Sequence, residues 1–230
     1  MLSDRVRIFT SGITKHKSKT PRRWKAGEKI VLLMMYSALF LSALAISIVM
    51  CAQNSTLYLK VQENCGVFEG AFPEDRQAVE RLNESVADFL SGRTGEIENA
   101  SERANRHMQD VKRIFDRTEN AALVLLACPV FLMIRNRKAS AIISMLPVLL
   151  TSVFVLFLAF SDFTALFYRF HELVFDNELW LLSPDEDLLI RCLPEEFFSR
   201  IALIALVRGM LVYLFFCSIT FLIYKFGRRD

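Results

Sequence analysis

The chain has 230 residues, a formal net charge of +3 and 53% hydrophobic residues, with phenylalanine alone contributing 20. That apolar load excludes a disordered chain and an ordinary soluble domain, because it is gathered into uncharged runs instead of being spread evenly. The length allows one domain with a sizeable core.

Residues 1–29 carry nine Lys and Arg against Asp4 and Glu28. Ahead of a membrane span, such an arm is read as facing the anionic inner leaflet and not nucleic acid. Ile30 to Ala52 follows as 23 residues without a charge. As a helix it reaches about 34 Å, enough for a hydrocarbon core of about 30 Å. It exceeds the roughly 7–15 residues of a signal-peptide core, and no small-x-small site follows. The bulky Met50 before Cys51 also argues against lipoprotein-type cleavage, so the run is expected to be an uncleaved anchor.

Residues 53–120 hold nine Lys and Arg against thirteen Asp and Glu. Within them Pro73-Glu74-Asp75 predicts a helix start, with Ala78, Val79, Leu82, Val86, Phe89 and Leu90 at helical spacing and Gly92 as the stop. This short amphipathic helix either rests on the membrane or covers the bundle. A second helix is expected from Ser101-Glu102, running on into the 14-residue run Ala121 to Ile134. Alone that run covers only about 21 Å, so the span must borrow turns from the segment before it. The stripe of this helix is Ala104, Met108, Val111 and Phe115, with Ile114 alongside, and Arg103, Arg106, Asp110, Arg113 and Arg117 are expected on the opposite face. His107 shares the inward face.

Arg135-Asn136-Arg137-Lys138 separates this run from Ala139 to Ser161, so the pair reads as a membrane hairpin. The third span is expected to continue as a helix through Phe163, Phe167, His171 and Val174/Phe175, which again turns the histidine inward. Ser183-Pro184-Asp185 marks a turn, Leu188-Leu189-Ile190 reads as a short strand or loop, and Pro194-Glu195-Glu196 opens the last helix. Its apolar run, Ile201 to Tyr224, is interrupted only by Arg208. Residues 161–199 hold Arg169 and Arg191 against nine Asp and Glu. With every short basic segment on one side, the positive-inside rule places both termini in the cytoplasm.

The resulting expectation is an all-α membrane protein with four transmembrane helices, N-in and C-in. The spans fall near 30–52, 113–134, 139–161 and 201–224, behind a cytoplasmic arm at 1–29. Segments 53–120 and 161–199 form an extracytoplasmic cap on the membrane domain, which runs from 30 to 230. Of the five cysteines, Cys51, Cys128 and Cys217 read as apolar filler in spans, while Cys65 and Cys192 lie outside and their pairing is open. Asn54, Asn83 and Asn99 begin glycosylation sequons, of consequence only in a eukaryote. No metal-ligand spacing occurs and no soluble cofactor is indicated.

The chemistry that the chain offers centres on His107 and His171, which arrive separately at one side of the membrane, each on an apolar face. Histidine suits general acid–base work because its pKa lies near neutrality and burial moves it readily. Either one, taken alone, reads equally as a hydrogen-bonded core residue. No Gly-x-Ser-x-Gly elbow and no reactive cysteine context accompanies them. A two-histidine site without its own nucleophile fits transfer between two groups of one lipidic substrate. Arg208 inside the last span is a substrate-binding candidate, or else it snorkels or pairs with Asp162. Trp180 and Arg191 are candidates to line a substrate groove, or scaffold residues.

Two blocks carry a family resemblance. One runs from Phe163 through Tyr168, His171 and Phe175 to Asn177, Trp180, Arg191, Pro194 and Phe197-Phe198. The other is Asn105-Arg106-His107-Met108-Gln109-Asp110-Val111, similar to a His-Met-x-Asp-Val pattern. Together they resemble the bacterial lipoprotein intramolecular transacylases, with hydropathy and span order matching over about residues 30–224. The resemblance implies an enzyme of the bacterial cytoplasmic membrane whose partners are diacylglyceryl-modified lipoproteins and membrane lipids. It would move the sn-2 acyl chain from glycerol to the cysteine α-amine, leaving a lyso-form lipoprotein, with His107 and His171 as the catalytic pair and no cofactor. A membrane ester hydrolase, an intermolecular acyltransferase or a non-enzymatic four-span assembly protein remains the alternative. Transport is poorly supported, since no inverted repeat is visible.

Overall fold

The uncharged runs fold as long helices. A computed structural model describes residues 25–69, 74–136, 141–159 and 162–226. The arm at 1–24, most of the 135–140 turn and the last four residues lie outside the described residues, and so do the charge-based expectations that rest on them. Eight helices and no strand occur among the described residues: α1 Ala26–Ala52, α2 Ser55–Gln62, α3 Arg76–Leu90, α4 Glu102–Asn136, α5 Ala141–Ala159, α6 Phe163–Val174, α7 Leu188–Cys192 and α8 Glu195–Phe226.

Helix α1 is apolar on all sides, the signature of a helix without a water-facing stripe. Leu32, Met35, Tyr36, Leu39, Phe40 and Ala43 recur at helical spacing and are buried. They pack into a core with Tyr213 and Cys217 of α8, flanked by Leu126 of α4 and Ile143 and Val148 of α5. Its other face leaves Ile30, Val31, Met34 and Leu41 exposed. Helices α4, α5 and α8 all contact α1, which is therefore the hub of the bundle. α1 and α8 approach very closely. Ser47 Oγ donates to the Ala205 carbonyl at 2.8 Å, and a Cβ on Gly209 would come 2.9 Å from Leu44 Cα. Among the described residues, α1 and the stretch Glu195–Leu222 of α8 are long and apolar enough to cross a membrane, with a shorter apolar stretch at Ile143–Val153.

The segment after α1 folds back as a helical cap. Asn54 caps α2 by accepting from Leu57 N at 2.9 Å, and Asp75 caps α3 by accepting from Ala78 N at 3.0 Å, each satisfying one of the orphan donors at a helix start. Gly92 ends α3 at φ +77°, where a side chain would be strained. Val79, Leu82, Val86, Phe89 and Leu90 pack with Ala104 and Met108 of α4 and with Leu189, Cys192, Leu193 and Phe197. The amphipathic helix thus covers the bundle with its apolar stripe turned into protein. Inside this core Gln62 and Asn83 exchange amide hydrogen bonds at 3.0 and 2.6 Å, and Gln62 Nε2 also reaches the Cys192 carbonyl at 2.8 Å. Asn83 is consequently closed to glycosylation. Cys65 and Cys192 are both free thiols.

Two sequence expectations are corrected. α6 does not continue α5 as one straight helix. Asp162 takes an extended backbone conformation and caps α6 afresh by accepting from Ala165 N, which allows the chain to change direction there. Leu188-Leu189-Ile190 is neither strand nor loop but the first turn of α7. Asp187 starts that turn by accepting from Leu189 N at 2.8 Å, and its other oxygen takes the Ser101 hydroxyl.

Candidate active site

Helix α4 positions His107 through its inward stripe. Ala104, His107 and Met108 are buried, while Arg103, Arg106 and Arg113 are exposed. Helix α6 positions His171 in the same manner, at the end of an i, i+4 row in which Phe163 lies 6.1 Å from Phe167, and Phe167 4.2 Å from His171, between ring centroids. The break at Asp162 lets α6 leave the line of α5 and pack on α8, and the two imidazoles meet with centroids 5.9 Å apart and planes at 42°. They are 7% and 8% exposed, respectively.

Aromatic rings enclose the pair. Phe175 lies 5.0 Å from His107 and 5.5 Å from His171, and Trp180 lies 4.9 Å from His171. Phe198 at the start of α8 closes against Phe167 at 5.4 Å. Such walls disfavour an imidazolium. Burial pushes His107 down from 6.5 to about 4, with the neighbouring His171 adding to the effect and Asp110 opposing it. Burial likewise lowers His171, against the hydrogen bond to Phe167, which favours its charged form. Both rings are therefore neutral near pH 7.

Their hydrogen bonds differ. His171 Nδ1 lies 2.7 Å from the Phe167 carbonyl. A carbonyl can only accept, so Nδ1 holds the proton and Nε2 is left with the lone pair. His107 Nδ1 is buried with no partner among the described residues. Just beyond it on α4, Asp110 accepts from Asn177 Nδ2 at 2.9 Å and from Arg113. Burial raises the Asp110 carboxyl, but those two donors outweigh it, and it stays below the usual carboxylate range.

Of the remaining sequence candidates, Trp180 stands in the site. Arg191 is set apart, bound to Glu74 at 2.5 Å and to the Pro184 carbonyl at 2.9 Å. Arg208 lies within α8 with its guanidinium 3.9 Å from Met50 Sδ. It makes neither a contact with the histidines nor an ion pair with Asp162 among the described residues. Phe167 and Phe175 stood in the helical row with His171, but their place as walls of a shared site needed the fold. Asp110, expected on the outward face with the arginines, is instead mostly buried, because Asn177 of the segment after α6 covers it and donates to its carboxylate.

A family model described as lipoprotein intramolecular transacylase Lit matches residues 31–198, well over half of the chain. The chain belongs to the lipoprotein intramolecular transacylase family. It is thus an enzyme, an acyltransferase, and the family resemblance seen in the sequence holds. The structure of the membrane-integral transacylase Lit from Bacillus cereus, solved in meso, superposes with a TM-score of 0.71 at 18% identity. The match covers 89% of this chain and 99% of that one. Two variants of that transacylase, with one histidine changed to arginine or to alanine, match with TM-scores of 0.67 at 19% identity. They cover 87% and 88% of this chain and 93% and 96% of theirs. No curated protein matches. At these identities the structural likeness establishes a shared fold. Together with the two apolar helices long enough to span, it makes this transacylase family member a membrane protein.

Proposed function

We propose that the chain moves the sn-2 acyl chain of a diacylglyceryl-cysteine lipoprotein to the cysteine α-amine, giving the lyso-form N-acyl product. The observation that carries this reading is the meeting of two neutral imidazoles, 5.9 Å apart, within aromatic walls. That spacing brings both rings within reach of one bound ester. Tyr168, Phe170, Leu173 and Leu181 extend an exposed apolar surface around the same region, as suits a substrate that holds its acyl chains in a bilayer.

In this mechanism the α-amine attacks the sn-2 ester carbonyl. A carbon–nitrogen bond forms and the carbon–oxygen bond to glycerol breaks. His171 takes the amine proton on Nε2, the nitrogen left free by the Phe167 hydrogen bond, and returns it to the departing glycerol oxygen. No net proton is gained or lost. His107 holds its proton on Nε2, because a buried acceptor without a partner is tolerated better than a buried N–H without one, and its Nδ1 is the unpartnered atom. It then donates to the developing oxyanion, a task suited to a neutral imidazole in a site of low polarity. Holding amine and ester on one bound molecule makes the step unimolecular, which supplies much of the rate.

The bundle is read as four spans, α1, the later part of α4, α5 and the later part of α8, with both termini in the cytoplasm. The site then faces the extracytoplasmic side of the bacterial cell membrane, where lipid-modified cysteines reside. Trp180 is the member of the substrate-contacting set nearest the chemistry. Arg208 would face the glycerol and acyl region from α8, and Arg191 would act through the Glu74 pair at the cap.

The test is direct. Purified protein in detergent is incubated with a synthetic lipopeptide bearing a diacylglyceryl cysteine and a free amine, and tandem mass spectrometry locates the acyl chains. Movement of one chain from glycerol to nitrogen at unchanged mass is expected. His107→Ala and His171→Ala should stay folded and lose at least about 100-fold in turnover, the low end of general acid–base contributions. Release of a free fatty acid would point to a hydrolase instead. Wild-type turnover in either variant would remove that histidine from the mechanism.

A further inference from the structure

The spacing of the two imidazoles depends on more than the helices that carry them. α6 begins at its own cap and is followed by an irregular segment, residues 175–187, before α7. That segment supplies Phe175 and Trp180, the rings against His171. Polar groups of α4 and of Ser101 just before it provide three anchors. Ser101 binds Asp187, the Arg103 guanidinium binds the Glu178 carbonyl, and Asp110 accepts from Asn177.

The Asp110–Asn177 bond stands apart from the other two. Asp110 lies three residues after His107, on the same side of α4. Its side chain is mostly buried although it belongs to a charged residue. Asn177 uses both ends of its amide. Nδ2 donates to Asp110 Oδ2 at 2.9 Å, while Oδ1 accepts from Leu179 N at 3.0 Å. The second bond folds the turn that delivers Trp180. One side chain therefore ties the register of His107 to the position of the ring packed on His171.

We propose that Asp110 is a positioning residue of the acyl transfer, acting through Asn177 to hold the His171-bearing half of the site at its working distance from His107. The inference rests on the reading that the two histidines perform the chemistry. Without the clamp, the turn that carries Trp180 loses the anchor beside His107, and the rings packed on His171 can shift relative to it. A displacement of about 1 Å is enough to cost on the order of 100-fold in a reaction that depends on alignment.

Exchange of the two residues tests this. Asn177→Asp faces one carboxylate with another, and the clamp opens. Adding Asp110→Asn restores an amide–carboxylate pair in the reverse sense. In the lipopeptide assay Asn177→Asp should lower kcat by roughly 10- to 100-fold with little change in KM, and the double variant should recover most of the loss. The only two tryptophans are Trp24 and Trp180, so in a Trp24→Phe background the emission of Trp180 reports the segment itself. It should move to the red in Asn177→Asp and return in the double variant. Wild-type kcat in Asn177→Asp would overturn the proposal, as would a double variant no better than the single one. So would a loss explained wholly by the fraction of unfolded protein. His107→Ala and His171→Ala, run in parallel, separate the two ideas. If they are silent and Asn177→Asp is not, the clamp fails and the histidine chemistry stands; if they are active, the histidine chemistry itself fails.

Discussion

His107 combines burial, a second imidazole nearby and a ring nitrogen without a partner, and this has a consequence for stability as well as chemistry. Its folded pKa lies at about 4, below the unfolded 6.5, and His171 is shifted in the same direction. A histidine depressed in this way binds more protons when unfolded. Its burial as a neutral ring costs nothing extra above pH 6.5, and stability falls as pH drops from there towards 4. The gap corresponds to about 3 kcal/mol at most. We therefore expect the unfolding midpoint of the wild type to fall between pH 7 and pH 4.5, and that of His107→Gln to fall distinctly less. Parallel pH profiles for the two proteins would show that the ring is not buried in its neutral form. Activity should fall below about pH 8 as the substrate α-amine protonates, with no separate loss from the imidazoles near 6.5, since both are shifted below it.

At the scale of elements, the close crossing of α1 and α8 depends on the absence of a side chain at Gly209. A Cβ there would meet Leu44 Cα at 2.9 Å and the Ala43 carbonyl at 3.3 Å. Both are backbone atoms, so no rotamer change can relieve the contact. Gly209→Ala should cost about 1–3 kcal/mol through displacement of the helices, read as a lower unfolding midpoint in detergent, and Leu44→Ala should not rescue it. Gly27→Ala, where a Cβ meets nothing, should be neutral. Loss of stability at Gly27 and none at Gly209 would refute this account of the crossing.

Helices of this kind were legible where burial follows a period. The rows of α3 and α4 and the apolar run of α1 could be read because each residue's side follows from its spacing. α7 could not, because Leu188-Leu189-Ile190 is a short apolar run without period, and its start depends on Asp187 bonded to Ser101 across 86 residues. The break before α6 was missed for a related reason. The apolar row continues through it, and only the cap at Asp162 interrupts the backbone. The sequence showed that both histidines face inward, whereas their distance depends on that break and on the segment clamped by Asn177.

At the scale of the molecule, the apolar surface argues for the placement of the site. Exposed apolar residues gather on the bundle, at Met34 and Leu41 of α1, Leu149, Leu150 and Val153 of α5, and Leu203, Leu211 and Phe215 of α8. α3 turns charged residues outward instead. Water exacts a high cost from the first surface and lipid from the second, so the bundle belongs in the bilayer and the cap in water. Under the proposed four-span reading the basic segments choose the side: residues 1–29 with nine Lys and Arg would lie in the cytoplasm, and residues 161–199 with nine acids outside. In a cysteine-free background, Ser183→Cys on intact cells should react with a membrane-impermeant maleimide. Lys25→Cys and Asp230→Cys should react only after the membrane is opened. Labelling of Asp230→Cys from outside would reduce the even number of spans to an odd one. Labelling of both Lys25→Cys and Asp230→Cys from outside, with Ser183→Cys protected, would instead invert the protein and place His107 and His171 on the cytoplasmic side, away from the leaflet where the proposed substrate presents its amine.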